Sequence, residues 1–376
     1  MATLRRMVAF VCGIAIPTLV LGDQNQDHTG LPSVAYPSDN APTAEKAALG
    51  KTLFFDKRLS ADGSISCASC HQPDHAFSDG RSKSQGIRDL VGTRNAPSLL
   101  NAAFMKTQFW DGRRPTLEAQ VLDPFVNPRE HGLTSFDQLI GTIKRDPTYV
   151  EMFAGAFGSD ADTVSEDSVS KALACYVRTI IGGISPFDRY YYKGEQGALS
   201  PSARRGLTLF VGRAQCSTCH QIGPSEATFS DQQFHSLHVG MERIENRLPA
   251  ITRRLVAIRV ARQATDSTVL GDEDVAELGR FLVTLDPADI GQFRTPSLRN
   301  VALTAPYMHD GSIATLEQAV DQELYYRSAQ GNRPLILTPA EKLDLVNFLR
   351  SLTGESTQST PTPRESDLSN RKPVKP

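Results

Sequence analysis

Two stretches of this chain place a pair of thiols and an imidazole at fixed spacing, Cys67-Ala-Ser-Cys70-His71 and Cys216-Ser-Thr-Cys219-His220. Thiols three positions apart can add to the two vinyl groups of one porphyrin. The histidine that follows then lies under the iron as its proximal ligand. Each motif therefore predicts one covalently attached haem c. Zinc ribbons and disulfides also use paired C-x-x-C, but neither requires a histidine after both pairs. Of the six cysteines, Cys12 falls in an apolar leader. Cys175, in Lys171-Ala-Leu-Ala-Cys175-Tyr-Val, reads as a small buried apolar residue.

Helices must carry these groups. Thr338-Pro339-Ala-Glu341 is an N-cap, an N1 proline and a capping-box glutamate, opening an apolar-periodic run to Leu352 that Gly354 ends. Similar patterns start at Thr43 and at Ser200-Pro201, and another runs from Ser168 to Ile181. No long strict alternation predicts a substantial sheet, so the fold class is all-α. The chain also repeats itself. Gly50-Lys-Thr-Leu-Phe precedes the first haem motif and Gly206-Leu-Thr-Leu-Phe the second. Pro97-Ser-Leu99, Asn101, Asp111-Gly112 and Thr116-Leu-Glu118 recur 199 residues later, without a gap, at Pro296-Ser-Leu298, Asn300, Asp310-Gly311 and Thr315-Leu-Glu317. The haem motifs are only 149 apart, which leaves a 50-residue insertion in the second half. Two tandem cytochrome c-like haem domains related by internal duplication are expected, at 43–185 and 186–354, with the insertion near 241–279.

The rest of the chain frames these domains. Arg5 and Arg6 precede 15 largely apolar residues and Val20-Leu21-Gly22, the pattern of an export signal over 1–22. Residues 23–42 read as a linker and 355–376, rich in Ser, Thr, Pro and Lys/Arg, as a disordered tail. No later segment is long and apolar enough to span a membrane, so the expectation is an exported protein, periplasmic in a Gram-negative host. Lys+Arg 40 against Asp+Glu 42 gives a net charge of −2, which argues against a nucleic-acid binder relying on a basic field.

Several further motifs give the chain its resemblance to the bacterial dihaem cytochrome c peroxidase / MauG family. They are Leu53-Phe-Phe-Asp56 with Arg58-Leu-Ser60, Phe109-Trp-Asp-Gly-Arg113, Ser185-Pro-Phe-Asp188, Thr295-Pro-Ser-Leu-Arg-Asn300 and Ala305-Pro-Tyr-Met-His-Asp-Gly311. The resemblance implies that the N-terminal haem handles peroxide and the C-terminal haem passes electrons to it. It further implies Glu130 as distal acid/base, Gln120 and Pro124 as companions in that pocket, and Trp110 as a relay between the haems. Activated-type peroxidases cap the first iron with a histidine. Ile87 stands at that position here and cannot ligate, which predicts a five-coordinate, high-spin first haem. His75, four residues past the proximal ligand, is expected to stay near the proximal side, and His131, beside Glu130, is the remaining rival for capping that iron.

For the second haem the resemblance supplies a sixth ligand after the Thr-Leu-Glu helix. Tyr325 fits the Tyr-x-Arg spacing, and Tyr326 is the alternative. Met308 corresponds to a packing residue, and Met241 lies in the insertion. The resemblance also places calcium between the domains, on the Asn95 side chain and the Thr304 and Pro306 carbonyls. Arg243, Arg247, Arg253, Arg254, Arg259 and Arg262 in the insertion could face an acidic partner, though a solvated helix face is the preferred reading. The expected function is reduction of H2O2 to water with electrons from a small c-type cytochrome or cupredoxin. A MauG-like oxidase acting on a partner protein and a non-catalytic electron carrier are the alternatives. A homodimer is compatible with all three.

Overall fold

The computed structural model describes residues 29–159, 163–260, 269, 271–330 and 334–354. The leader, the tail and part of the insertion, Arg262 included, lie outside them. Among the described residues the fold is helical. The one sheet pairs Phe234–His235 with Phe293–Arg294, two residues a side.

Two helix crossings organise the molecule. Thr43 accepts the Lys46 N–H and opens helix Ala44–Phe55, which buries Leu49, Gly50, Leu53 and Phe54. That helix crosses Glu166–Val177 at Gly50, where a Cβ would lie 2.0 Å from the Ala172 carbonyl oxygen. In the second half Ser200 caps Pro201–Val211, and Thr338 with Glu341 forms the capping box of Pro339–Arg350. This second pair crosses at Gly206, again with 2.0 Å from a would-be Cβ to a carbonyl oxygen, that of Asp344. Only glycine permits such close backbone approach. The Gly-x-Thr-Leu-Phe motif is therefore a packing signal in both halves. Around the first crossing Phe54 and Tyr176 meet edge to face, and around the second Phe210 and Phe348 pack at 4.9 Å. The helix expected from Ser168 starts two residues earlier, because Ser165 takes the cap. Cys175 is buried, as expected.

The 199-residue repeat is visible in the backbone. Asn101 and Asn300 are left-handed at φ 62° and 59°, as are Phe109 and Met308 at 65° and 72°. Isolated bridges Gln108–Arg114 and Tyr307–Ile313 close the same turn in each half.

Two segments differ from expectation. The stretch read as a linker is packed from Gly30 onward. The Gly30 carbonyl accepts from Ala227 N–H and Arg299, and the buried Asn40 side chain bonds Glu118 at 2.8 Å. Between the second haem motif and its Pro-Ser-Leu block, helices Leu248–Val260, Glu273–Ala276 and Phe281–Thr284 form a small core of their own around Ile244, Leu255, Val275 and Phe281. Its arginines are largely spent internally: Arg243 pairs with Glu277, Arg247 with Asp274 and Arg254 with Asp272.

Candidate active site

One cavity of ≈ 1120 Å³ runs through both halves and is lined by all four motif cysteines and both motif histidines. Ordinary small-molecule pockets span about 300–1,000 Å³, so this one is large. Cys67 and Cys70 flank a single turn that ends at His71. The His71 Nδ1–H donates to the Phe77 carbonyl at 3.1 Å, and the His220 Nδ1–H donates to the Phe229 carbonyl at 2.9 Å. A carbonyl can only accept, so in each ring the tautomer is fixed and Nε2 keeps its lone pair for a metal. Burial pushes the His71 pKa down to about 4 and lowers that of His220, so both rings are the neutral, ligating form. Burial also pushes the Cys67 and Cys216 thiols up to about 12.

The cavity wall suits an anionic macrocycle. Arg294 lines it, buried, with Nη1 lacking any hydrogen-bond partner and with burial pulling its pKa down to about 10. A haem propionate is the kind of group that satisfies such an atom. Paired thiols and a tautomer-fixed histidine fit haem c in each half, and the unmet Arg294 guanidinium suits a propionate.

Beside the first motif the wall carries Gln120, Pro124, Glu130 and His131. Pro124 sits in the one-turn helix Asp123–Val126, after the equally short Leu117–Gln120. The chain then turns through Asn127 and brings Glu130 to the cavity. Ile87 is buried but does not line it. Its N–H donates to the Glu130 carbonyl and its side chain covers Gly132. His75 is exposed, bonded to Gln72, and outside the wall.

Trp110 lines the same cavity, and its Nε1–H donates to the Asn95 carbonyl at 3.0 Å. The Asn95 N–H in turn donates to the His309 carbonyl at 2.8 Å, tying the tryptophan to both halves. Asn95, Thr304 and Pro306 share this wall. The Asn95 amide group donates to the Arg81 carbonyl at 2.7 Å. Behind them Asp111 is fully buried. Burial alone would raise its pKa, but Arg113 and Arg94, at 3.1 and 2.6 Å, win and hold it down to about 2.

The second haem's expected sixth ligand is not brought to the cavity. Tyr325 is 68% exposed, and Tyr326 stacks on His238 at 5.3 Å. Neither tyrosine is in the wall. Helix Leu316–Gln330 turns Ala319, Val320, Glu323, Leu324 and Arg327 inward instead, which rotates position 325 away. Met308 lines the cavity, whereas Met241 packs on Gly291 with the insertion.

Sequence reasoning missed Glu277. It is buried, accepts from His309 Nε2 at 2.7 Å and pairs with Arg243. A lone carboxylate inside the apolar run Val275-Ala-Glu-Leu278 was the available signal.

Comparison with known proteins bears on this geometry. The family description "Di-haem cytochrome c peroxidase" matches residues 44–197. A cytochrome-c peroxidase of Denitromonas iodatirespirans is 37% identical over 362 residues, covering 92% of this chain and 91% of the relative. A methylamine utilization protein MauG of Methylorubrum extorquens is 34% identical over 330 residues, 86% of this chain and 82% of the relative. Among solved structures, a MauG-like protein associated with microbial copper homeostasis superposes with a TM-score of 0.70 at 32% identity, covering 87% and 94% of the two chains. With two haem c motifs on one cavity and relatives matched over nearly their whole length, the chain belongs to the di-haem cytochrome c peroxidase / MauG family.

Proposed function

We propose that this protein is an exported peroxidase that reduces H2O2 to two waters, taking two electrons from a small c-type cytochrome or cupredoxin and two protons from solvent. One observation carries the reading: Gln120, Pro124 and Glu130 line the cavity beside the first haem motif, where the positions 199 residues on are Ala319, Glu323 and Ala329. His71, with Cys67 and Cys70, would hold the haem whose iron would supply the site of peroxide reduction. Glu130 takes the proton from the oxygen that approaches the metal and returns it to the oxygen that leaves as water. Gln120 orients the peroxide through its amide, and Pro124 keeps the wall from closing into a helix. His220 holds the second haem, and Trp110 lies on the path between the two. Asn95, Thr304 and Pro306 hold a calcium ion that stiffens this junction. The duplicated crossings at Gly50 and Gly206 support an origin of the two halves by internal duplication.

Mixing the ferric protein with H2O2, with and without reduced cytochrome, tests the function. Rapid oxidation of the cytochrome supports the peroxidase. The isoleucine at position 87 and the MauG-named relatives favour a second reading, an oxidase that draws electrons from a partner protein. That reading requires a long-lived oxidised state after peroxide and slow cytochrome turnover. No spectral response to peroxide contradicts both. No helix among the described residues is long and apolar enough to cross a membrane.

A further inference from the structure

His131 is a conspicuous residue in the wall around His71. It is 3% exposed, its ring packs 4.9 Å from Phe125, and although the ring lies near the Pro124 carbonyl, neither nitrogen makes a hydrogen bond of ordinary geometry. An unmet polar atom in such a place is destabilising, and buried polar groups are paired as a rule. A phenylalanine or leucine would fill the space at no such cost. The backbone fixes the ring's origin. The His131 N–H donates to the Pro124 carbonyl at 3.1 Å, its own carbonyl accepts from Ala61 N–H at 2.8 Å, and Gly132 N–H closes on Asn127 at 2.8 Å. The groups that share its wall are Glu130, Gln120 and His71. Burial keeps the ring neutral, lowering its pKa to about 4, so one nitrogen is free to accept and the other to donate.

We infer that His131 is a second proton-handling group on the reactive side of the N-terminal haem, working beside Glu130. The inference rests on the peroxidase reading and deepens it. The imidazole accepts at one nitrogen the proton that Glu130 takes from the near oxygen of H2O2 and releases one from its other nitrogen to the far oxygen. As the O–O bond breaks, that oxygen departs as water, and the near oxygen leaves as the second water after two electrons from the redox partner and two protons from solvent. Two proton carriers, one carboxylate and one imidazole, let uptake and delivery use different groups.

The test uses cyanide, which enters as HCN and must lose a proton to bind ferric iron, so the same residue is read without turnover. The probe is potassium cyanide mixed with the ferric, fully haem-loaded protein and followed in the Soret band. H131Q retains a hydrogen-bonding side chain but cannot take a proton, and H131F retains the ring shape alone. Mass spectrometry confirms two haems in each variant. Both are expected to slow cyanide association on the order of 10²-fold, with the resting ferric spectrum unchanged. Association at the wild-type rate in both variants overturns the inference and leaves the peroxidase reading standing. A low-spin wild-type haem that becomes high-spin in H131F also overturns it, since His131 is then an iron ligand. Failure of the wild-type N-terminal haem to bind cyanide overturns the open-iron reading as well.

Discussion

The two halves anchor their haem histidines alike and then build opposite walls above them. His71 and His220 each donate Nδ1–H to a backbone carbonyl, at 3.1 and 2.9 Å. At the 199-residue offset, however, Pro124 stands where the second half has Glu323. Proline in a helix interior removes a hydrogen bond and clashes with the preceding turn, costing about 3 kcal/mol. The first half therefore has two single turns, Leu117–Gln120 and Asp123–Val126, and a chain that bends back to offer Glu130 and His131. The second half runs one 15-residue helix, Leu316–Gln330, whose inward face is mostly aliphatic. The walls part at Pro124: the first bends to bring Glu130 and His131 to the cavity, and the second stays helical and lines it with Glu323 and Arg327 among aliphatic residues.

The contrast is most open to attack at Glu130. E130Q removes the carboxylate from the reactive wall, and peroxide turnover should fall about 10²–10⁴-fold with both haems still attached. Steady-state cytochrome oxidation and haem mass report the two numbers. The crossings are where the halves should agree. G50A and G206A each drive a methyl into a carbonyl oxygen and should each cost about 3 kcal/mol or more. Urea unfolding checks this, and a tolerated alanine at either site breaks the parallel.

The halves should disagree again at a matched ion pair. Arg178–Glu118 is nearly buried, whereas Arg350–Glu317, its counterpart, has both side chains 51% exposed. E118Q should destabilise by about 3 kcal/mol and E317Q by less than about 1 kcal/mol in the same unfolding assay. A further effect is acidic. Asp111 has its folded pKa depressed from 3.8 to about 2, so its contribution is complete above pH 4 and is lost as pH falls from there toward 2. The wild type should lose about 2 kcal/mol across that window, and D111N should lack this component.

The sequence made some of this legible for physical reasons. Haem attachment is written in contiguous residues because one porphyrin edge demands it. Helix starts at Thr43, Ser200 and Thr338 were readable because capping is local. Glu130 was identified only through the resemblance, since an Asn-Pro-Arg-Glu turn carries no chemistry by itself. Tyr325 was misplaced because helical phase, not spacing to the next arginine, decides which side chains face inward. Glu277 and His131 were undervalued because their significance lies in burial and in neighbours distant in sequence. The expected linker was packed for the same reason, as Asn40 finds Glu118 far along the chain.

The asymmetry itself is tested most directly by the low-temperature electron paramagnetic resonance spectrum of the oxidised protein. An open iron over His71 and a shielded one over His220 give one high-spin and one low-spin ferric signal in equal amounts. Two low-spin signals would contradict the account.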